Sequence, residues 1–89
     1  MTLLTVRVDI VMRLLLALAD GAPDGAALAY LGAGPIEDLL GADAANCVDA
    51  IDEAARRNER FRTALRCASF DHHVAPAIAE RLRRFGPPI

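Results

Sequence analysis

The sequence predicts an all-α domain of five to six helices, three or four of them substantial, packed as an αα-hairpin bundle or a short solenoid-like stack. Three observations lead there. Apolar residues recur along most of the chain at the three-to-four-residue spacing of a buried helix face. Gly, Pro, Asp and Asn gather between those stretches, at 21–25, 32–35, 41–43, 58 and 86–88. One segment, Thr5–Ile10, alternates like a strand, but no second segment offers it a convincing pairing partner.

Eighty-nine residues make a single helical domain, residues 1–89. A chain this short buries only about 60–65% of its unfolded surface, so one core must suffice or a partner must help. Two cysteines are too few for a disulfide scaffold, and both fall in helical patterns. Free thiols in a reducing, cytoplasmic setting are the expectation. No stretch reads as a signal peptide, and Arg7, Asp9 and Arg13 interrupt the N-terminal apolar run, against a membrane span.

Residues 2–20 form the longest apolar pattern. Thr5, Asp9, Arg13 and Asp20 share a narrow polar stripe, and Arg7 lines up with Val11, Leu14 and Leu18 on the apolar side. A helix apolar nearly all round is buried on more than one side. Either the other helices wrap it, or Arg7, Val11, Leu14 and Leu18 face a second copy or a partner protein. Gly21–Gly25 then reads as a turn: Gly21 a cap, Pro23 a stop, Asp24 the N-cap of a short helix over residues 25–32. Leu28, Leu31 and the Tyr30 ring supply its face, with Tyr30 in the core or at its rim.

An elbow follows. Gly32 and Gly34 offer the positive φ that ends a helix, and Pro35 fits a first helical position. Glu37 and Asp38 suit the positive end of a helix dipole, Ile36, Leu39 and Leu40 share a face, and Gly41 closes the turn. A phosphate cradle here lacks a lysine and a preceding strand. Glu37 and Asp38 diverge by about 100°, so they do not converge on one bond.

Asp43 reads as the N-cap of an amphipathic helix over residues 44–57. Ala44, Cys47, Val48, Ile51, Ala54 and Ala55 lie on one side, and Asp49, Asp52, Glu53, Arg56 and Arg57 on the other. Asp52–Arg56 and Glu53–Arg57 are i, i+4 ion pairs in the favourable order. Asn58 punctuates before a helix over residues 59–69 with Phe61, Ala64, Leu65 and Ala68 inward. Pro76 fixes the start of the last helix to within about the preceding turn, and its stripe is Val74, Ala75, Ile78, Leu82 and Phe85, with Arg81, Arg83 and Arg84 near its C-terminus.

Charge is segregated. Residues 1–55 hold two arginines and nine acids; residues 56–89 hold eight arginines and three acids, and the chain has no lysine. Two halves of one fold complement each other, or the molecule presents an acidic and a basic face to partners. Arg56, Arg57, Arg60, Arg62 and Arg66 crowd segment 56–66, the best anion-binding candidate and the basis for an alternative role as a nucleic-acid-associated regulator. Missing lysine, missing aromatic interleaving and a pI near 5.5 argue against nucleic acid. A metal or thiol site at Cys67, His72 and His73 lacks a fourth ligand and an orienting group. No catalytic residues, cofactor, metal or small-molecule substrate are indicated.

The runs Ala29–Leu40, with its Gly-Pro-Ile-Glu-Asp-Leu-Leu string, and Ile51–Leu65, with Phe-Arg-Thr-Ala-Leu, resemble a family of small, functionally uncharacterised bacterial proteins. That family, a domain of unknown function, carries a Gly-Pro-Leu/Ile-Glu-Asp-Leu-Leu elbow and a later Phe-Arg-x-Ala-Leu. The resemblance spans roughly residues 24–67. It implies stacked helix pairs and no activity. By analogy, small bacterial proteins of this look include immunity and antitoxin-like partners. The expected function is therefore a non-enzymatic protein–protein interaction module, self-associating or binding a partner.

Overall fold

Helix occupies nearly all of the chain in a computed structural model, which describes residues 3–70 and 74–86, and of residues 3–6 only the backbone. The order is α1 (Leu3–Gly21), α2 (Gly25–Leu31), a π-helical turn (Gly32–Ile36), α3 (Glu37–Arg57), α4 (Glu59–Arg66) and α5 (Pro76–Arg83). No strand occurs among the described residues, and the alternating segment Thr5–Ile10 lies within α1. Because α2, the π turn and α3 run on without a break, the described chain has four unbroken helical segments rather than five to six.

The expected stops at the elbow are therefore not taken, and the helix runs on through them. Gly32 keeps helical angles (φ −68°, ψ −49°) and takes no positive φ. Pro35 has no N–H, and in a regular α-helix its ring meets the carbonyl four residues back. The wider π turn relieves that clash, and the Glu37 N–H reaches the Gly32 carbonyl at π spacing. Gly41 is simply helical. Asp43 does leave the helical region (φ −157°, ψ 50°), but α3 kinks there and continues. The Asp43 carboxylate accepts from Asn46 Nδ2 at 2.6 Å.

Gly32 is required by packing. A Cβ on it would lie 1.9 Å from the Ala64 carbonyl oxygen, so α4 passes directly over the elbow backbone. The helix α4 is the hub. It touches α1, α2, the π turn and α3, and it buries Phe61, Ala64 and Leu65. With eight residues it is too short to persist alone, as are α2 and α5, so packing holds all three. Buried apolar side chains of every helix form one cluster, including Met12, Leu15, Leu31, Ile36, Leu40, Ile51 and Leu82.

Side chains fasten the helix ends. Asp24 caps α2 as expected, accepting from the Ala27 N–H at 2.9 Å. Gly21 takes no positive φ; the end of α1 is held instead by Arg60, which donates to the carbonyls of Ala19 and Ala22. Asn58 caps α4 through the Phe61 N–H at 2.9 Å, and its amide donates to Asp20 at 3.0 Å. Glu37 does not sit at a free helix start; it accepts from the Ser69 N–H at 3.1 Å and ties down the chain leaving α4. Pro76 opens α5, where Ala79 and Leu82 are buried and Ala75 is exposed rather than part of the inward stripe. The only positive φ among the described residues is at Gly86 (127°), which ends the last turn.

Candidate functional site

Helix α1 is not wrapped by the others. It lies along one side of the molecule against α3 and α4, burying Met12, Leu15 and Ala19. Asp9, Arg13 and Asp20 line the expected polar stripe in solvent. Between that stripe and the buried face lies an apolar one that no described residue covers. Ile10 is 59% exposed, Leu14 60% and Leu18 47%. At 100° per residue, Arg7, Ile10, Leu18 and Gly21 all fall within about 40° of Leu14 on the helix surface.

Of the four residues expected on this face, Arg7, Leu14 and Leu18 lie on it and are exposed, whereas Val11 rolls inward and packs, half-buried, against the core. Ile10 takes its place. The stripe ends in a groove of about 390 Å³ lined by Ala17, Leu18, Gly21, Ala22, Pro23, Ala27, Tyr30, Leu31 and Pro35. Tyr30 is neither core nor hidden; at 79% exposed it stands on the groove wall. Beside Ala27 and Leu31 of its own helix, the wall is made by α1, the turn after it and Pro35, so the local pattern of α2 gave no hint of this position.

The second candidate surface was the arginine segment 56–66. Each of these side chains is engaged within the fold. Arg56 Nε donates to Asp52 Oδ1 at 2.7 Å, and Arg57 pairs with Glu53 at 3.0 Å, both as expected. Arg60 closes α1, Arg62 donates to the Ala55 carbonyl at 3.1 Å, and Arg66 runs past Gly86, where a Cβ would sit 2.7 Å from its Nε. The hub position of α4 explains this: its non-apolar side chains emerge among the surrounding helix ends.

The densest polar site is one the pattern placed wrongly. Asp52 is not on the solvent face of α3 but fully buried. Arg56 binds it from one turn on, and Arg81 Nε and Arg84 Nη2 reach its Oδ2 at 2.7 Å from the far end of the chain. Arg84 also contacts Oδ1 at 2.8 Å, and Arg81 bridges onward to Asp49 at 2.7 Å. Burial pushes the Asp52 carboxyl up, but the bonds from Arg81, Arg84 and Arg56 outweigh it and hold the group below the usual carboxylate range. Asp52 in turn, with Asp49, keeps Arg81 more firmly protonated than usual. The opposed halves of the charge pattern meet here inside one molecule.

Neither cysteine forms a reactive centre with a described base. Burial, with the Asp43 charge adding, pushes the Cys47 thiol up to about 11. Cys67, half-buried, donates to the Thr63 carbonyl at 3.5 Å. His72 and His73, its conceivable co-ligands, lie outside the described residues. Among the described residues no group of three or more His, Cys, Asp or Glu could hold a metal ion, and no helix is long and apolar enough to cross a membrane.

Comparison with known proteins returns one match: a model described as "Family of unknown function (DUF6869)" covers residues 3–86. No curated protein and no solved structure matches the chain.

Proposed function

The chain belongs to this family of unknown function (DUF6869), and from that premise we propose that it is a non-enzymatic protein–protein interaction module working through the exposed face of α1. The observation that carries this reading is the row Ile10, Leu14 and Leu18, each about half exposed or more, running into the groove beside Tyr30. Isolated exposed leucines are ordinary; a contiguous apolar row with an aromatic at its end is what a contact surface requires. The arginine segment supports a regulator of nucleic acid less well, because its guanidinium groups already serve carboxylates and helix ends of the fold.

Affinity capture with the tagged chain in its source cell tests the reading. Proteins retained by the wild type, untagged copies of the chain included, are expected to be lost from Leu14→Glu and kept by Arg57→Glu. Retention unaffected by Leu14→Glu, or lost only with Arg57→Glu, overturns it.

A further inference from the structure

The last helix is joined to the fold on different terms from the others, and we infer that α5 is a latch: it undocks from α3 as one unit while α1 to α4 stay folded, and the Asp52 carboxylate is its catch. The latch goes beyond the contact face of α1 and does not rest on it. Helix α4 touches α1, α2, the π turn and α3, whereas α5 packs substantially on α3 alone. Of the eight residues of α5, Ala79 and Leu82 are the buried ones, with Ile78 half-buried beside them. One alanine and one leucine bury too little apolar surface to offset the entropy of ordering such a helix. Its start adds little, because Ala75 at the N-cap position makes no side-chain bond.

The fastening is ionic and sits at the C-terminal end. Arg81 Nε reaches Asp52 Oδ2 and Arg81 Nη1 reaches Asp49 Oδ1, each at 2.7 Å. Arg84 Nη2 spans both Asp52 oxygens, at 2.7 and 2.8 Å. This catch opens without stranding a buried charge. The Arg81 and Arg84 side chains are 35% and 52% exposed, so each already meets water. Asp52 keeps Arg56, which comes from its own helix one turn on. The body is closed before the latch begins: Ala68 and Phe70 are buried, and the Ser69 N–H is held by Glu37. Past α5, Gly86 lies against the Arg66 side chain of α4, a contact that parts with the latch. A segment fastened this way opens at a lower free energy than the body it leaves. Opening bares Asp49 and Asp52 on α3, beside the apolar surface that Ala79 and Leu82 cover.

Hydrogen exchange of the full chain, read peptide by peptide by mass spectrometry, tests the latch. In the wild type the amides of α5 are expected to exchange as a group, about tenfold or more faster than those at the centres of α3 and α4. Asp52→Asn is expected to speed α5 by about tenfold or more again. Arg84→Gln, which leaves Asp52 its charge and two partners, is expected to speed α5 by less. Leu15→Val is the opposite probe. It trims a buried contact of α1 that is the same whether α5 is docked or not, so it is expected to speed exchange in α3 and α4 several-fold and leave α5 unchanged. An α5 that exchanges no faster than the body overturns the inference. So does an α5 that follows the body in Leu15→Val, or one that neither Asp52→Asn nor Arg84→Gln affects while circular dichroism shows both folded.

Discussion

Asp52, itself fully buried, gathers three partly exposed guanidinium groups, and its energetics follow from that imbalance. Asp52→Asn keeps the shape and removes the charge that three cations face. The arginines are partly exposed and regain water, so the cost is about 2 kcal/mol rather than the larger penalty of a sealed ion pair. Chemical denaturation of the two proteins at neutral pH measures it. The pH dependence has a definite sign. Because the folded carboxyl lies below its unfolded value of about 4, its contribution is complete above that value and is lost as pH falls through the folded one. The difference between wild type and Asp52→Asn is therefore expected to shrink in acid. Cys47 behaves oppositely: with its thiol raised to about 11, stability is lost as pH climbs past the ordinary thiol value of about 8.5. A thiol reagent at mildly alkaline pH should label Cys67 in the folded protein and Cys47 only after unfolding. Cys47 was legible from its place on an apolar face. Asp52 was not, because Arg81 and Arg84 follow it by 29 and 32 residues on another helix. Periodicity gives the side of a helix a residue occupies, not what later packs there.

The elbow between α2 and α3 shows how far punctuation can be read. Its Gly and Pro, which the sequence reads as a stop and a start, mark a change of bonding pattern through which the helix runs on. Sequence rules for Gly and Pro assume that a helix stops where its bonding pattern is interrupted. A π turn with α4 laid across it changes the pattern instead. Gly32 and Gly41, alike in sequence terms, should respond in opposite directions. Gly32→Ala drives a methyl into the Ala64 carbonyl and is expected to cost about 3 kcal/mol or more. Gly41→Ala meets nothing within 4 Å at a helical position and is expected to stabilise by about 0.5–1 kcal/mol. Thermal melts of the two variants against the wild type decide the matter. Opposite signs place the packing constraint at Gly32; similar losses from both contradict the crossing of α4 over the elbow. Helix starts that rest on caps, Asp24 for α2 and Asn58 for α4, stand where the sequence puts them, and α5 opens within the expected turn, whereas α4 ends at Arg66 rather than at residue 69.

At the scale of the whole molecule, acidic and basic halves fold onto each other, while α1 keeps an apolar row outward. The all-helical class was legible from spacing alone. The surplus of apolar residues on α1 was legible too, though not whether other helices would cover them. The short helices α2 and α4 pack with each other and the elbow, α5 packs on α3, and the outer side of α1 is left bare. Affinity capture from the source cell with tagged wild type and tagged Leu14→Glu, together with thermal melts of both, tests this surface most directly. The expected result is that the wild type retains a partner, a second copy of the 9.5 kDa chain or another protein, that Leu14→Glu loses it, and that the two melt alike. A wild type that retains nothing, or a Leu14→Glu protein that retains the same partner, contradicts it.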